Sequence, residues 1–138
     1  MDATTQKELA EFIGTWQEQP SGARGIFLRL KAHLETKTPV QLAFKARPGV
    51  SYSLRAAIPG QARELFVMVD VIDDDPQNRW LSVCFYGETI TDPEENGDLI
   101  PGGLLGEDGY CFDIEENDEA LVTYLLARID EAHQSAMN

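Results

Sequence analysis

The stretch that decides the fold is residues 40–58, "VQLAFKARPGVSYSLRAAI". Residues 40–47 alternate strictly between apolar and polar side chains, and residues 50–58 do the same. Strict alternation predicts strands that are buried on one face, and the Pro48-Gly49 connection predicts that the two strands form a β-hairpin. Because the two strands are consecutive, the stretch predicts an antiparallel sheet.

The alternation also predicts how the two strands pair. A two-residue turn would place the apolar residues of one strand opposite the polar residues of the other. A three-residue turn with Gly49 at a positive φ aligns the apolar faces instead. We therefore expect Phe44 opposite Leu54 and Ala46 opposite Tyr52.

Two further apolar segments, residues 64–72 and 79–86, are apolar on both faces. Strands of this kind are usually buried on both faces. Helices are expected to cover one face, so the other needs cover from a dimer partner, from segment 87–109 or from a ligand. The side chains predicted for an interface on that second face are Phe66, Met68, Trp80 and Tyr86.

Helical periodicity occurs at both ends of the chain. Apolar residues spaced three and four apart predict helices at 4–18, 22–36 and 117–134, and a short strand is expected at 109–114. The sequence thus predicts a single α+β domain over residues 1–138. We expect an antiparallel meander of four to five strands, with two N-terminal helices and one C-terminal helix packed mainly on one face.

The formal net charge of −13 is unevenly distributed. Residues 1–79 carry ten acidic and ten basic side chains, whereas residues 80–138 carry fourteen acidic and one basic. Such an acidic half repels phosphate backbones, so nucleic-acid binding is not expected. No apolar run reaches the roughly 18 residues of a membrane helix, and the polar N-terminus lacks a secretory signal. These features predict a cytoplasmic protein without a membrane partner.

The two cysteines, Cys84 and Cys111, form no CxxC motif. Cys84 lies within the apolar run "WLSVCFY", where a buried free thiol is the usual state of a cysteine. We expect the same of Cys111. Neither cysteine has a histidine nearby in sequence, so a thiol nucleophile has little support.

The acidic segment "DPEENGDLIPGGLLGEDG", residues 92–109, partly matches a calcium-binding loop. The matching positions are Asp92, Glu94, Asn96, Gly97 and Leu99. The twelfth position is Gly103 where a bidentate glutamate is required, and no helix follows, so no metal site is predicted. A phosphate loop is also disfavoured, since the segment has no lysine. We expect a surface segment held to the protein by Leu99, Ile100, Leu104 and Leu105.

Asp70 lies on a predicted strand among apolar residues. A buried carboxylate needs a partner, and the expected one is an ion pair with Arg55 or Arg63. A general base or a metal ligand is the alternative role for Asp70.

A row of cations, Lys45, Arg47 and Arg55, is predicted on the outer face of the hairpin. Such a row has two interpretations. It binds an anionic ligand, or it is a solvated face whose charges prevent edge-to-edge pairing of strands.

The C-terminal sequence "GGLLGEDGYCFDIEENDEALVTYLLARIDEAH", residues 102–133, together with the size and acidity of the chain, resembles the small acidic chaperones of type III secretion. Two helices followed by four uninterrupted strands differ from the usual alternation of elements in that family. No function or residue is therefore transferred from the resemblance.

Two functions are compatible with these features. The first is a non-catalytic binding or assembly protein, a homodimer that holds a protein partner on an apolar face of the sheet. The second is a small-molecule-binding protein or enzyme that binds an anionic ligand through Lys45, Arg47 and Arg55. No catalytic triad or cofactor motif is present, so the sequence favours a protein that is not an enzyme and needs no cofactor.

Overall fold

The computed structural model describes residues 1–138 as three helices and one six-stranded sheet. The helices are α1 (Ala3–Thr15), α2 (Ala23–Glu35) and α3 (Glu119–Met137). The strands are β1 (Gln41–Arg47), β2 (Ser51–Ala57), β3 (Val67–Ile72), β4 (Trp80–Tyr86), β5 (Asp98–Leu104) and β6 (Glu107–Ile114). The strand order is β1-β2-β3-β4-β6-β5, and all neighbours are antiparallel. The predicted α+β class is confirmed, with six strands instead of four to five.

The register of the β1–β2 hairpin agrees with the alternation of its sequence. Phe44 pairs with Leu54, and Ala46 pairs with Tyr52. The turn has three residues, and Gly49 at its centre has a φ of 84°. This conformation strongly favours glycine, because a side chain there would clash with the backbone.

All three helices pack on one face of the sheet. Each contributes a stripe of apolar side chains with helical spacing, such as Leu30 and Leu34 of α2 or Leu125 and Ile129 of α3. The strand residues buried against the helices include Leu54, Val69, Val83 and Phe112. Since alternate residues of a strand point to opposite faces, the neighbours of these four residues point away from the helices. We call that opposite side the outer face.

Two of the helix starts are fixed by aspartate side chains. Asp2 caps α1 by accepting a hydrogen bond from the backbone N–H of Thr5. Asp118 caps α3 in the same way through Leu121. The two helices begin within two residues of their predicted positions.

Strand β5 does not follow from the sequence pattern. It contains Pro101, Gly102 and Gly103, residues that are disfavoured inside strands, and its pairing with β6 is irregular between Ile100 and Leu104. Pro101 is tolerated because β5 lies at the edge of the sheet. Segment 87–109 is therefore partly a strand and not only a surface loop.

Part of the outer face of β3 and β4 is covered by the β5–β6 hairpin of the same chain. Leu104, at the end of β5, is fully buried and packs in a second cluster with Leu65, Cys84 and Tyr86. The sequence left three possible sources of cover: a dimer partner, segment 87–109 or a ligand. Segment 87–109 covers at least the part of the face around Cys84 and Tyr86. The expected anchoring by four residues is wrong for three of them. Leu99, Ile100 and Leu105 are between 42% and 51% exposed.

Cys84 and Cys111 form a disulfide, so the expected free thiols are not present. The two residues lie directly opposite each other on β4 and β6, with a Cα–Cα distance of 4.2 Å. The sequence did not reveal this pairing because 27 positions separate the cysteines. Only the register of two non-consecutive strands brings them together.

None of the three helices combines the length and the apolar composition needed to cross a bilayer.

Candidate functional site

A row of polar residues crosses the outer face perpendicular to the strands. Its members are successive cross-strand partners: Lys45, Ser53, Asp70, Ser82 and Asp113. Each follows or precedes a core residue on its strand, so all five side chains point away from the helices. The row places a lysine and an aspartate on either side of one serine. Ser53 is itself 4% exposed.

The cations of this face differ from the other cations of the protein. Seven of the eleven lysine and arginine side chains form ion pairs with carboxylates. Of the remaining four, three are the predicted ligand-binding residues Lys45, Arg47 and Arg55. The unpaired positive charge of this acidic protein is thus concentrated on one part of its surface.

These three cations line a groove of about 250 Å³ on the outer face. Its other walls come from β2, β3 and the tip of the β5–β6 hairpin. The groove is lined by Lys45, Arg47, Ser51, Ser53, Arg55, Met68, Asp70, Gly103, Leu104 and Leu105. A second hollow of about 290 Å³ shares Lys45 and Arg55 with it and extends toward Met1. We call the first of these spaces the cationic groove.

The floor of the cationic groove contains Asp70, whose expected ion pair is absent. Arg55 donates a hydrogen bond to the Ser53 hydroxyl at 3.1 Å, and Arg63 pairs with glutamates elsewhere. Burial raises the pKa of Asp70, while the Ser53 hydroxyl and the positive charges of Arg55 and Arg47 act in the opposite direction. Its Oδ1 atom is buried and accepts no hydrogen bond. The groove thus contains an acceptor that the protein itself does not satisfy.

The four residues predicted for an interface do not form an open apolar face. Phe66 lies in the main core, on the helical side, where its ring packs 5.5 Å from that of His133. Tyr86 is buried in the second cluster with Met68 packed against it, and Trp80 is only partly exposed. The alternation of the sequence predicted Phe66 on the outer face. Phe66 instead precedes the first paired residue of β3, and its side chain turns toward the helices.

The acidic segment after β4 is organised by hydrogen bonds around Asp92. The Asp92 carboxylate accepts bonds from the backbone N–H groups of Asn96, at 3.1 Å, and Gly97, at 2.9 Å. It also accepts a hydrogen bond from the Tyr124 hydroxyl of α3. Burial raises the pKa of Asp92, but these hydrogen bonds outweigh it and lower the pKa below its usual value. The carboxylate that begins the calcium-like pattern therefore holds a turn.

Arg63 forms the main cluster of charges outside the groove. Its guanidinium pairs with Glu107 of β6 and with Glu88, and it lies 4.6 Å from the centre of the Tyr86 ring. This cluster joins the segment before β3 to the β5–β6 hairpin. It lines a hollow of about 500 Å³, but its one cation is already paired with two glutamates.

Two residues of the groove, Ser51 and Ser53, were not singled out from the sequence. The signal was present, because both alternate with apolar residues of β2 and share the face of Arg55. What the sequence did not provide was the hairpin tip that forms the opposite wall. Leu104 and Leu105 lie about 50 positions away along the chain.

Comparison with protein-family models, curated proteins and solved structures finds no match for this chain. The interpretation of its function therefore depends on the residues described above.

Proposed function

We propose that the protein binds a small anionic ligand in the cationic groove through Lys45, Arg47 and Arg55. The observation that carries the proposal is the absence of ion pairs at these three side chains. Acidic side chains outnumber lysines and arginines by 24 to 11, and most of the other lysines and arginines form an ion pair with a carboxylate. Three unpaired cations around one concavity favour an external anion as their partner.

The chemistry of the groove suits a carboxylate or a phosphate group. Arginine presents a planar set of donors that matches the oxygens of either group, and lysine adds a compact charge. Met68 and Leu104 form part of the lining and Arg55 is half-buried, so the groove is partly covered, whereas Lys45 and Arg47 are exposed. Charge-assisted hydrogen bonds are stronger in such a partly covered site than on an open surface.

The proposal is one of binding and not of catalysis. The lining contains neither histidine nor free cysteine. Its titratable groups are three cations and Asp70. Fixing the position of an anion is the role that this set of side chains supports best.

The test is a titration of the protein with ethyl phosphate and with propionate, followed by two-dimensional NMR. The two probes distinguish a phosphate-binding site from a carboxylate-binding site. In the wild type, at least one probe should shift the backbone signals of β1 and β2 in a saturable manner at millimolar concentration. The triple variant Lys45→Ala, Arg47→Ala, Arg55→Ala should bind at least about ten-fold more weakly, since each charged hydrogen bond contributes roughly 1.5–3 kcal/mol.

A charge-matched control separates local binding from general electrostatics. The triple variant Lys7→Ala, Arg29→Ala, Lys31→Ala has the same net charge but leaves the groove intact, and it should bind like the wild type. An equal loss in both triple variants, or no saturable shift in the wild type with either probe, would refute the proposal.

A homodimer remains a second proposal, on narrower support. The apolar faces of β3 and β4, which first suggested a partner, are covered in part by the hairpin of the same chain. The remaining support is the pair of exposed apolar residues Leu99 and Ile100 on the edge strand β5. An exposed apolar edge strand is a surface on which a second copy or another protein can pair.

Light scattering tests this second proposal directly. The dimer predicts twice the mass of the 15.4 kDa chain, and Leu99→Lys should return it to the monomer mass. A wild-type monomer at 0.5 mM would exclude the homodimer.

The sequence and the disulfide predict different cellular compartments for the protein. The sequence led us to expect the cytoplasm, whereas a disulfide favours a non-reducing compartment. Trapping the thiols of the protein inside cells with an alkylating reagent decides between them. Alkylation at Cys84 and Cys111 before reduction would support the cytoplasm.

A further inference from the structure

The strongest unexplained feature of the cationic groove is the Oδ1 atom of Asp70. It is buried, it accepts no hydrogen bond, and Asp70 forms no ion pair. Its neighbours on the adjacent strands are Ser53 of β2, whose hydroxyl interacts with the Asp70 carboxylate, and Ser82 of β4, whose hydroxyl lies 3.6 Å from Cys84 Sγ. Neither hydroxyl donates to Oδ1. A buried acceptor without a donor is costly, so it usually has a partner.

The position of Asp70 shows what kind of partner fits. Lys45 and Asp70 lie on strands separated only by β2, so their Cα atoms are about 10 Å apart. Arg55 lies on the strand between them, next to Ser53. The cationic groove therefore holds one carboxylate, Asp70, beside its three cations.

We propose that the ligand is zwitterionic, with an anionic group held by Lys45, Arg47 and Arg55 and an ammonium group that donates to Asp70. This inference rests on the proposed function. An anion alone would satisfy the three cations but would be repelled by Asp70. A ligand with both charges pairs with the three cations and also supplies a donor to Asp70. The volume of about 250 Å³ is sufficient for an amino acid or an amino phosphate.

Two pairs of probes test the inference, each with and without the ammonium group. O-phosphoethanolamine is compared with ethyl phosphate, and β-alanine is compared with propionate. In the wild type, the zwitterion of at least one pair should bind about ten-fold more tightly than its partner, since a hydrogen bond to a charged group contributes roughly 1.5–3 kcal/mol. The signals of Asp70 and Ser82, on β3 and β4, should shift only with the zwitterion.

The Asp70→Asn variant identifies the group responsible. It should reduce the preference for the zwitterion to less than about three-fold, while the affinity for the simple anion does not fall, because a negative charge is removed. Asp113→Asn is the matched control. Asp113 belongs to the same row but does not line the groove, so its variant should keep the full preference.

The outcomes separate the inference from the proposed function. If the simple anions bind and the zwitterions bind no more tightly, the zwitterion inference is wrong and the anion site stands. Retention of the preference in Asp70→Asn also overturns the inference. An equal loss of affinity for the simple anion and for the zwitterion in Asp70→Asn would show that Asp70 has a structural role. This result would also overturn the inference. If no probe binds the wild type, both the inference and the proposed function are wrong.

Discussion

Arg79 donates a hydrogen bond from Nε to the Oδ1 atom of Asp73 at 2.7 Å, and both side chains are nearly buried. The other carboxylate oxygen of Asp73 accepts a bond from the backbone N–H of Gly49 at 2.8 Å. The guanidinium also lies 5.1 Å from the ring centre of Phe12 and 5.4 Å from that of Tyr52. This ion pair therefore joins the β1–β2 turn, the β3–β4 connection and α1.

Removing one partner of this ion pair should strongly destabilise the fold. Asp73→Ala leaves the Arg79 charge without its partner and should lower the free energy of unfolding by about 3–5 kcal/mol. Urea denaturation measures this change. The control is Asp74→Ala, which alters the adjacent but exposed carboxylate and should stay within about 0.5 kcal/mol of the wild type. If the free energy of unfolding changes equally little in Asp73→Ala and Asp74→Ala, the ion pair contributes little to stability.

The disulfide between Cys84 and Cys111 should contribute strongly to stability. It closes a loop spanning 27 positions, for which the chain-entropy relation gives about 3–4 kcal/mol. The double variant Cys84→Ala, Cys111→Ala should lose about that much in urea denaturation under non-reducing conditions. The wild type should lose a similar amount when reductant is added, whereas the double variant should not respond. Two titratable thiols in the untreated native protein would contradict the prediction.

Adjacent leucines at the hairpin tip provide a test of how the outer face is covered. Leu104 is fully buried, whereas Leu105 is 48% exposed. Leu104→Ala should cost about 2–5 kcal/mol through lost packing and the resulting cavity. Leu105→Ala should cost less than about 1 kcal/mol, as surface substitutions do. If both variants unfold at the same urea concentration, the hairpin does not cover β3 and β4 in solution.

The buried carboxylate of Asp70 should reduce stability at neutral pH. Burial raises its pKa above the unfolded value of 3.8, so the folded state binds the proton more tightly than the unfolded state does. Protonated Asp70 therefore stabilises the folded state fully below pH 3.8. This stabilisation is lost as the pH rises through the pKa that Asp70 has in the folded state. Asp70→Asn, which carries no charge, should have a higher melting temperature than the wild type at pH 7.

The pH dependence distinguishes this effect from a simple change in packing. The gain in melting temperature of Asp70→Asn should shrink as the pH falls toward 4 and should be stable between pH 7 and pH 8. A gain that is the same at pH 4 and at pH 7 would show that the charge of Asp70 is not its cause. A stabilising substitution in a binding groove is the usual sign of a residue retained for function.

The hairpin could be predicted from the sequence in detail, down to the pairing of Phe44 with Leu54. All the features that determine the hairpin lie within 19 consecutive residues, which contain two alternating strands and a glycine where the turn requires a positive φ. The helices were predicted for a similar reason, since their periodic apolar residues lie within single short segments. The outer position of Lys45, Arg47 and Arg55 followed from the same alternation.

The remaining features depend on contacts between distant segments. Strand β5 was missed because Pro101 and two glycines hide its alternation, and its edge position, which tolerates them, is a property of the whole sheet. The insertion of β6 between β4 and β5 then sets the Cys84–Cys111 pairing. The ion pair expected between Asp70 and Arg55 or Arg63 is absent, and the carboxylate that forms a buried ion pair is Asp73, with Arg79. Composition alone does not tell which carboxylate of "DVIDDD" faces an arginine.

The three unpaired cations belong to a protein of net charge −13, which sets how an anion reaches them. At low ionic strength, the long-range field of the acidic half repels an approaching anion, even though the groove attracts it at close range. Added salt shortens the Debye length to about 10 Å at 0.1 M and suppresses this repulsion before it weakens the short contacts in the groove. The association rate of a singly or doubly charged anion should therefore rise with moderate salt, opposite to the behaviour of most oppositely charged pairs.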